Sequence, residues 1–418
     1  MQPIDIVILS NGPGEVATWV RPVVNRLSEV LGESDRVRIS VLLSPCPHST
    51  GKEMAIASSY PQVDRVLAAS DFFSFLLWGK TKDNWQWHKT GIVVFLGGDQ
   101  FYTVAVSKRL GYSSLIYAEW DARWYRFVDC FAARNQTVIE RVPQLYRHKF
   151  TVVGDLMAEV ALEVERKLAD NQGDIPSIGL LVGSKPAKLS QGVPLCLAIA
   201  ENIQQFQPQA RFVIPVAPTL NLSTVGKYAD EQSNPLIPTL GNVSGKIIEA
   251  TAEQTSYLVT SSGTKIQLVT EFPAYETLIN CQLCLTTVGA NTAELTALKI
   301  PMIVLLPTQQ LDAMRSWDGL PGILANLPGV GSAFAKLINW LVLRQGRLFA
   351  WPNIWAGEEI VPELVGKLEP ETVAKLALDY LENPAKLQAM RDRLTAVCGA
   401  TGAAKQIADI IKIQIAKT

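Results

Sequence analysis

The chain has 418 residues, more than one typical hydrophobic core accommodates, so we expect two α/β domains. Its 38 Lys and Arg nearly balance 39 Asp and Glu, and the net charge of −1 gives no global electrostatic basis for binding nucleic acid. The six cysteines are scattered apart from Cys281 and Cys284, which lie in an apolar strand pattern, so buried thiols in a reducing compartment are favoured over zinc or disulfides. The start of the chain lacks the features of a signal peptide, and no stretch reaches the roughly 20 apolar residues of a spanning helix. We therefore expect a cytoplasmic protein without a metal.

The first predicted strand, at residues 4–9, runs into a glycine-containing loop and then a helical pattern at residues 16–31. This order predicts the opening β–loop–α unit of a doubly wound domain. Because glycine lets the backbone approach a ligand closely, we expect the loop to hold part of an acceptor or a phosphate. The spacing is not GxGxxG, so no dinucleotide fingerprint is predicted. The loop candidates are Asn11, Gly12, Gly14 and Glu15.

Residues 72–78 form a short apolar segment followed by Trp and Lys residues. Aromatic and basic residues interleaved around such a segment are typical of a helix that lies in the membrane interface. The alternative is an ordinary helix that packs Phe and Leu against the sheet, because the apolar residues do not form one clean face.

A strand at residues 92–96 opens into a Gly-Gly-Asp sequence that ends at Asp99. Open α/β sheets bind ligands at the carboxyl ends of their strands, and a dry cleft raises the pKa of a carboxyl group toward values that suit a general base. Asp99 is therefore our first candidate for the base, and capping of the following helix is its alternative role. The next strand leads to Glu119 and Trp120 on the acceptor side, and Glu15 and Glu119 rank behind Asp99 as the base.

A polar segment at residues 170–174 predicts the boundary to a second domain. A strand at residues 178–182 then runs into a Gly/Ser loop at the start of a helix that carries Lys185 and Lys188. Two lysines on such a loop suit a diphosphate, and solvated surface lysines are the alternative. The binding candidates here are Gly183, Ser184 and Lys185.

Residues 283–306 are predicted to form a strand, a Gly/Thr turn, a helix from Thr292 and a second strand. The N-terminus of a helix that follows such a turn is an anion site. Glu294, in about the first turn of this helix, is placed to accept hydrogen bonds from a hydroxyl pair, so a nucleotide diphosphate with its ribose satisfies both features. The alternative is an ordinary βαβ unit in which Glu294 only complements the helix dipole. The binding candidates are Gly289, Asn291, Thr292 and Glu294.

A second apolar helical pattern, at residues 334–342, also has Trp and Arg close by. It is too short to cross a bilayer, so we expect it and residues 72–78 to make a peripheral, partly electrostatic membrane contact. Burial in a core or in a homodimer interface is the alternative.

Several of these stretches resemble, in the same order, motifs of the lipid A disaccharide synthase family. The residues from Pro352-Asn353 to Pro362-Glu363 match the family's Pro-Asn-x-x-Ala-Gly-Arg-x-x-x-Pro-Glu most specifically. The order of Gly289, Thr292 and Glu294 resembles its nucleotide-sugar motif. The loop at Lys185 resembles its Pro-Gly-Ser-Arg, although Lys supplies charge without the bidentate fork of Arg.

The chain departs from the family at Asp155, where the family has His, and at Glu358, where it has Arg. Because of these two differences, one alternative is that the chain is a non-catalytic relative that binds a nucleotide-sugar or a lipid. A nucleotide-sugar epimerase, which shares the two-domain architecture, is a further alternative.

The resemblance covers almost the whole chain and implies a GT-B-like α/β fold. This fold has two doubly wound Rossmann-type domains facing a cleft, with C-terminal helices crossing back to the first domain. We predict residues 1–169 as the acceptor-side domain, 174–370 as the nucleotide-sugar domain, and 371–418 as the returning helices.

The activity implied is transfer of a hexosyl group from a nucleotide-sugar, expected to be UDP-linked, to a lipid or glycolipid acceptor. One base takes the acceptor hydroxyl's proton while the nucleotide diphosphate leaves. Lys185 and the helix N-terminus after Gly289 meet the developing charge in place of a metal, and no other cofactor is expected. Glu294 holds the ribose, and Asn353 helps to frame the donor.

Overall fold

The computed structural model describes residues 3–32, 36–46, 51–159, 176–249, 255–307 and 348–417. The chain divides into two compact units, Met1–Glu163 with Gly399–Thr418, and Val164–Cys398. The predicted apolar helix at 334–342 and the predicted boundary segment at 170–174 lie outside the described residues. None of the described helices is both long and apolar enough to span a membrane.

The first unit contains a parallel sheet of seven strands in the order β3-β2-β1-β4-β5-β6-β7. Its central strands are predominantly apolar, with Asp5 as a charged exception, and they are buried as expected for a parallel sheet covered on both faces. This order is of the Rossmann type and confirms the doubly wound domain predicted from the sequence. The strands are β1 Ile4–Ser10, β2 Val37–Leu43, β3 Arg65–Leu67, β4 Thr90–Phe95, β5 Ser113–Ala118, β6 Cys130–Ala133 and β7 Phe150–Val152.

The helical segments of this unit lie between these strands or follow the last of them, and the first includes a π-helical turn. They are Pro13–Glu15, the π-helical Val16–Val20, Arg21–Leu31, Glu53–Ser58, Phe72–Trp78, Gln100–Leu110, Gln136–Glu140, the 3₁₀ segments Gln144–Lys149 and Leu156–Ala158, and the C-terminal Ala403–Ala416.

The C-terminal helix Ala403–Ala416 packs against helix Arg21–Leu31 of the first unit. Ala404, Ile407 and Ile411 are fully buried at helical spacing and form its apolar face. The predicted return of the C-terminus to the first domain is confirmed for this helix.

Helix Phe72–Trp78 packs against the core, which is the second of the two alternatives set out for it. Phe72 and Phe75 are fully buried in the core, whereas Phe73, Leu77 and Trp78 are exposed. The segment is thus a packed helix that also presents apolar side chains to solvent.

The second unit contains a sheet of eight strands in the order β10-β11-β12-β9-β8-β13-β14-β15. The six strands from β12 to β15 are parallel, and β10 and β11 extend the sheet antiparallel at one edge. The strands are β8 Ser177–Leu181, β9 Arg211–Pro215, β10 Gly245–Ile248, β11 Tyr257–Thr260, β12 Lys265–Val269, β13 Leu283–Thr287, β14 Met302–Pro307 and β15 Glu363–Gly366.

Helices of the second unit contribute to two separate apolar clusters. Leu195 of helix Pro186–Phe206 lies in one cluster, and Leu295 of helix Ala290–Ala297 lies in the other. The described helical segments are Pro186–Phe206, Leu222–Ala229, the 3₁₀ segment Ile237–Leu240, Tyr275–Leu278, Ala290–Ala297, Trp351–Ala356, Pro370–Leu381 and Pro384–Val397.

Helices Pro370–Leu381 and Pro384–Val397 pack on the second unit. Val373 and Ala377 lie in the same apolar cluster as helix Pro186–Phe206, and Leu394 lies in the second cluster. Among the described residues of the segment 371–418, those in the core of the first unit belong to the last helix.

Candidate functional site

The neighbouring parallel strands β8 and β13 form a topological switch point in the second unit. The chain continues from β8 to β9 on one side, and from β13 to β14 on the other. Each strand is followed by a glycine loop and a helix, Pro186–Phe206 after β8 and Ala290–Ala297 after β13. The first N–H groups of a helix have no partner within it, so two N-termini give this edge of the sheet a positive potential. Open α/β sheets bind phosphate-containing ligands at such points.

Gly183 and Gly289 shape the two loops. Their φ angles are +87° and +152°, in the region that favours glycine. A Cβ atom on Gly183 would lie 2.9 Å from Lys188 Cδ and 3.1 Å from Thr287 Oγ1. One on Gly289 would lie 2.9 Å from Lys188 Nζ, so the Lys188 side chain extends from one glycine to the other.

Lys188 is partly buried between these loops. Its Nζ donates a hydrogen bond of 2.5 Å to the carbonyl oxygen of Val288. Loss of solvent, together with the nearby charge of Lys185, lowers the pKa of Lys188 to about 8. The loop therefore carries a poorly solvated cation at neutral pH.

The hydroxyl group of Thr287 lies beside Lys188, at the end of β13. Thr287 is 7% exposed, and within the described part of the chain its Oγ1 has no hydrogen-bond partner. A buried hydroxyl without a partner is costly, so it marks a place where a ligand or water supplies the missing bond.

The other predicted residues near this point differ in exposure and position. Ser184 and Lys185 are partly buried in the loop, and Lys185 is the N-cap of helix Pro186–Phe206. Asn291 and Glu294, both partly exposed, are the second and fifth residues of helix Ala290–Ala297. This helix begins two residues earlier than predicted, because the turn ends at Gly289, so Glu294 lies in its second turn.

The Thr292 side chain has a structural position. It is fully buried, its hydroxyl donates to the Gly289 carbonyl oxygen at 2.9 Å, and its Oγ1 accepts from the Trp351 N–H at 3.2 Å. Thr292 therefore fixes the glycine turn and links it to helix Trp351–Ala356.

Asn353, which was predicted to frame the donor, is also fully buried. Its amide nitrogen donates to the Val361 carbonyl oxygen and to the Glu363 carboxylate, at 2.9 and 2.7 Å. Its amide oxygen accepts from the N–H groups of Ile360 and Val361, at 2.7 and 2.9 Å. These four bonds use the capacity of the side chain, so Asn353 holds the turn between helix Trp351–Ala356 and β15.

The first unit has its own switch point, between β1 and β4. A Cβ atom on Gly12 would meet the Glu15 carboxylate, and one on Gly97 would lie 3.1 Å from Glu15 Cβ. Glu15 therefore turns back over its own loop toward the end of β4. Asn11 and Gly14 are partly buried in the same loop, and the Asn11 side chain accepts from the Gly12 N–H at 2.7 Å.

Glu119, at the end of β5, lies near a buried ion pair. Arg134 Nη2 and Asp155 Oδ2 are 2.7 Å apart, and both side chains are less than a tenth exposed. Burial and the charge of Asp155 raise the pKa of Glu119 to about 8, against the opposing effect of Arg134, with a further contribution from Glu15. The Arg134 guanidinium also lies over the Trp120 ring, 4.9 Å from its centroid.

Asp99 is exposed and caps helix Gln100–Leu110. Its Oδ1 accepts from the Phe101 N–H at 2.8 Å, which is the alternative role considered for it. The raised carboxyl pKa that was expected for Asp99 is instead found for Glu119, which is only partly exposed. The sequence reasoning missed Arg134, whose position directly after β6 was the available signal. It also missed the ion pair of Asp155, which stands where the family has His.

No cluster of three or more His, Cys, Asp or Glu side chains suited to holding a metal ion occurs among the described residues.

Comparisons with known proteins give no matching family model. Among curated proteins, the chain is 22% identical over 231 residues to the lipid-A-disaccharide synthase of Nitrosococcus oceani, covering 55% of this chain and 46% of the relative. It is 25% identical over 240 residues to that of Persephonella marina, covering 56% and 49%. The chain thus spans about half the length of these relatives.

Solved structures resemble the chain over its full length. A putative UDP-N-acetylglucosamine 2-epimerase from Listeria monocytogenes aligns with a TM-score of 0.55 at 14% identity, covering 100% of this chain and 98% of its own. A UDP-GlcNAc 2-epimerase from Neisseria meningitidis, bound to UDP-GlcNAc, aligns with a TM-score of 0.53 at 13% identity, covering 99% and 100%.

The two Rossmann-type units and these likenesses define a GT-B-like fold. The chain is a distant homologue of the lipid-A-disaccharide synthases over about half of its length, which confirms the relationship predicted from its motifs.

Proposed function

We propose that the protein transfers a sugar from a UDP-linked donor to a lipid or glycolipid acceptor. The observation that carries this proposal is the switch point between β8 and β13, where two helix N-termini follow glycine loops. Their positive potential suits a diphosphate leaving group. The distant homology to lipid-A-disaccharide synthases supports a lipid-linked acceptor.

On the donor side, the diphosphate occupies the N-terminus of helix Ala290–Ala297. Glu294, partly exposed on this helix, accepts hydrogen bonds from the ribose hydroxyls. Thr292 and Asn353 act indirectly, by fixing the turn at Gly289 and the turn before β15.

On the acceptor side, Glu119 replaces Asp99 as our choice for the general base. Its raised pKa of about 8 makes it a stronger proton acceptor than an exposed carboxylate. Glu15 and the Trp120 ring complete the acceptor side of the first unit.

A nucleotide-sugar epimerase is the second candidate, because the fold also resembles the two UDP-N-acetylglucosamine 2-epimerases. An epimerase converts a UDP-sugar without an acceptor, whereas a transferase consumes it only when an acceptor is present.

An exposed apolar surface on the first unit supports a lipid-linked acceptor. We define it by Phe73, Leu77, Trp78, Phe101, Trp124 and Phe127, each more than a third exposed. The Phe101 and Trp124 rings lie 5.2 Å apart, and Lys108 Nζ lies 4.5 Å from the centroid of the Phe127 ring. Apolar side chains beside basic groups suit the interface of an anionic membrane.

Flotation with liposomes that contain anionic lipid tests this peripheral contact. We expect association at low salt that weakens as salt screens the basic residues. The double substitution Leu77→Glu and Trp78→Glu should abolish it, while Phe206→Glu, at another exposed apolar residue, should not. Equal flotation of both variants would contradict the membrane role of this surface.

Donor binding tests the proposed function. We expect UDP and UDP-sugars to raise the melting temperature more than other nucleotides, because a ligand that binds only the folded state stabilises it. Glu294→Gln should weaken UDP binding by about 1.5–3 kcal/mol through loss of a charge-assisted hydrogen bond. Equal affinity of variant and wild type in calorimetry would remove Glu294 from the ribose site.

A further inference from the structure

The loops after β8 and β13 bring together three features that Lys185 and the helix dipole do not explain. These features are the partly buried side chain of Lys188, the Thr287 hydroxyl that has no partner among the described residues, and glycine at both positions that Lys188 passes.

Lys188 occupies an unfavourable place for a cation. It is partly desolvated, Lys185 repels it, and its Nζ lies beside Gly289 at the positive end of helix Ala290–Ala297. The Val288 carbonyl oxygen supplies a hydrogen bond, but it does not neutralise the charge. An anion bound at the helix N-terminus would relieve all three effects.

The Thr287 hydroxyl is independent support for an anion site beside Lys188. Its buried Oγ1 lies within 3.1 Å of the position that a Cβ on Gly183 would occupy, and Lys188 Cδ lies 2.9 Å from that position. Glycine at position 183 therefore lets both side chains approach the loop backbone closely. A hydroxyl without a partner among the described residues can donate to an anion.

We propose that Lys188 and Thr287, with the N-terminus of helix Ala290–Ala297, bind the diphosphate of the donor, and that Lys188 takes up a proton from solvent as the diphosphate binds. In this arrangement Lys185, at the N-cap of helix Pro186–Phe206, plays a smaller part than its position in the motif suggested. The inference rests on the proposed function, because the diphosphate belongs to the nucleotide-sugar.

Proton uptake follows from the pKa of about 8 for Lys188 in the free protein. An adjacent dianion raises the pKa of a lysine, so the bound protein holds more protons than the free one. At pH 8, where about half of the free Lys188 is neutral, binding should draw in about half a proton. Below pH 7 the uptake should be close to zero.

Calorimetric titration of UDP in buffers of different ionisation enthalpy measures both affinity and proton uptake. We expect Lys188→Met to bind UDP about 10- to 100-fold more weakly at pH 7, and to lose the uptake seen with wild type at pH 8. Lys227→Met, at an exposed lysine of the same unit, should match wild type. Wild-type affinity and wild-type uptake in Lys188→Met would overturn the inference.

Thr287→Val separates binding from folding. The substitution removes an unpartnered buried hydroxyl, so the thermal stability of the free protein should be kept or raised. UDP binding should nevertheless weaken, by about 3- to 10-fold. Unchanged UDP affinity would exclude the hydroxyl from the site.

Inorganic pyrophosphate distinguishes failure of this inference from failure of the proposed function. If wild type binds pyrophosphate but no uridine nucleotide, and Lys188→Met binds neither, the anion site stands while the proposed donor is wrong. If pyrophosphate binds equally to wild type and Lys188→Met, or to neither, the anion site is wrong.

Discussion

The Glu119 carboxyl group lies at the end of β5 with Asp155 and Arg134 nearby, and its pKa is raised to about 8. Burial is the largest cause, because it penalises the charged form. Asp99 lies exposed at a helix N-cap, where its carboxylate serves the backbone. Two carboxyl groups of the same unit therefore differ in the task that each can perform.

We expect Glu119→Gln to lower the rate of sugar transfer by about 100- to 10,000-fold, the range typical of a lost general base. Because Glu119 must be deprotonated to act, the wild-type rate should rise as the pH passes through about 8. Asp99→Asn should keep both the rate and this profile, since Asn also caps helices well. Initial rates measured against pH for wild type, Glu119→Gln and Asp99→Asn test this prediction. An Asp99→Asn variant as slow as Glu119→Gln would contradict the choice of Glu119 as the base.

At the scale of elements, the ends of β6 and β7 are joined by the ion pair of Arg134 and Asp155. Asp155 also caps the short helix Leu156–Ala158 by accepting from the Met157 N–H at 2.9 Å. The pair thus links a strand end to the loop that follows the next strand.

Arg134→Met should destabilise the first unit by about 3–5 kcal/mol, because it leaves the buried Asp155 carboxylate uncompensated. Adding Asp155→Asn should recover part of this loss, since the second substitution removes the unpaired charge. Urea unfolding of the single and double variants measures the difference. A double variant less stable than Arg134→Met alone would show that the pair is not the source of the effect.

The elements that sequence patterns predicted well are the buried strands. Runs such as β1, β2 and β4 are predominantly apolar, and a parallel sheet covered on both faces favours such runs. Sequence patterns do not predict where individual side chains point. The choice between Lys185 and Lys188 depends on a side chain that reaches Val288, and the start of helix Ala290–Ala297 depends on the conformation of Gly289. A hydrophobic pattern reports neither the path of the Lys188 side chain nor the backbone conformation of Gly289.

At the scale of the whole molecule, the chain returns to its first unit through the C-terminal helix Ala403–Ala416. The Glu159 carboxylate accepts from the Gly402 N–H at 2.6 Å, at the start of this helix. The first unit therefore requires residues from both ends of the chain.

Ile407→Ala should destabilise the first unit by about 2–5 kcal/mol, as expected when a fully buried Ile is truncated. Ile413→Ala, on the exposed side of the same helix, should change stability by less than about 0.5 kcal/mol. Calorimetric unfolding of both variants gives the comparison. Equal effects would mean that the helix does not pack on the first unit through this face.

The most direct test of the central claim follows a UDP-sugar by mass spectrometry, with and without a glycolipid as the acceptor. We predict release of UDP and formation of a glycosylated lipid only when the acceptor is present. Conversion of the UDP-sugar to its epimer without an acceptor, or no turnover and no binding of any UDP-sugar, would contradict the account.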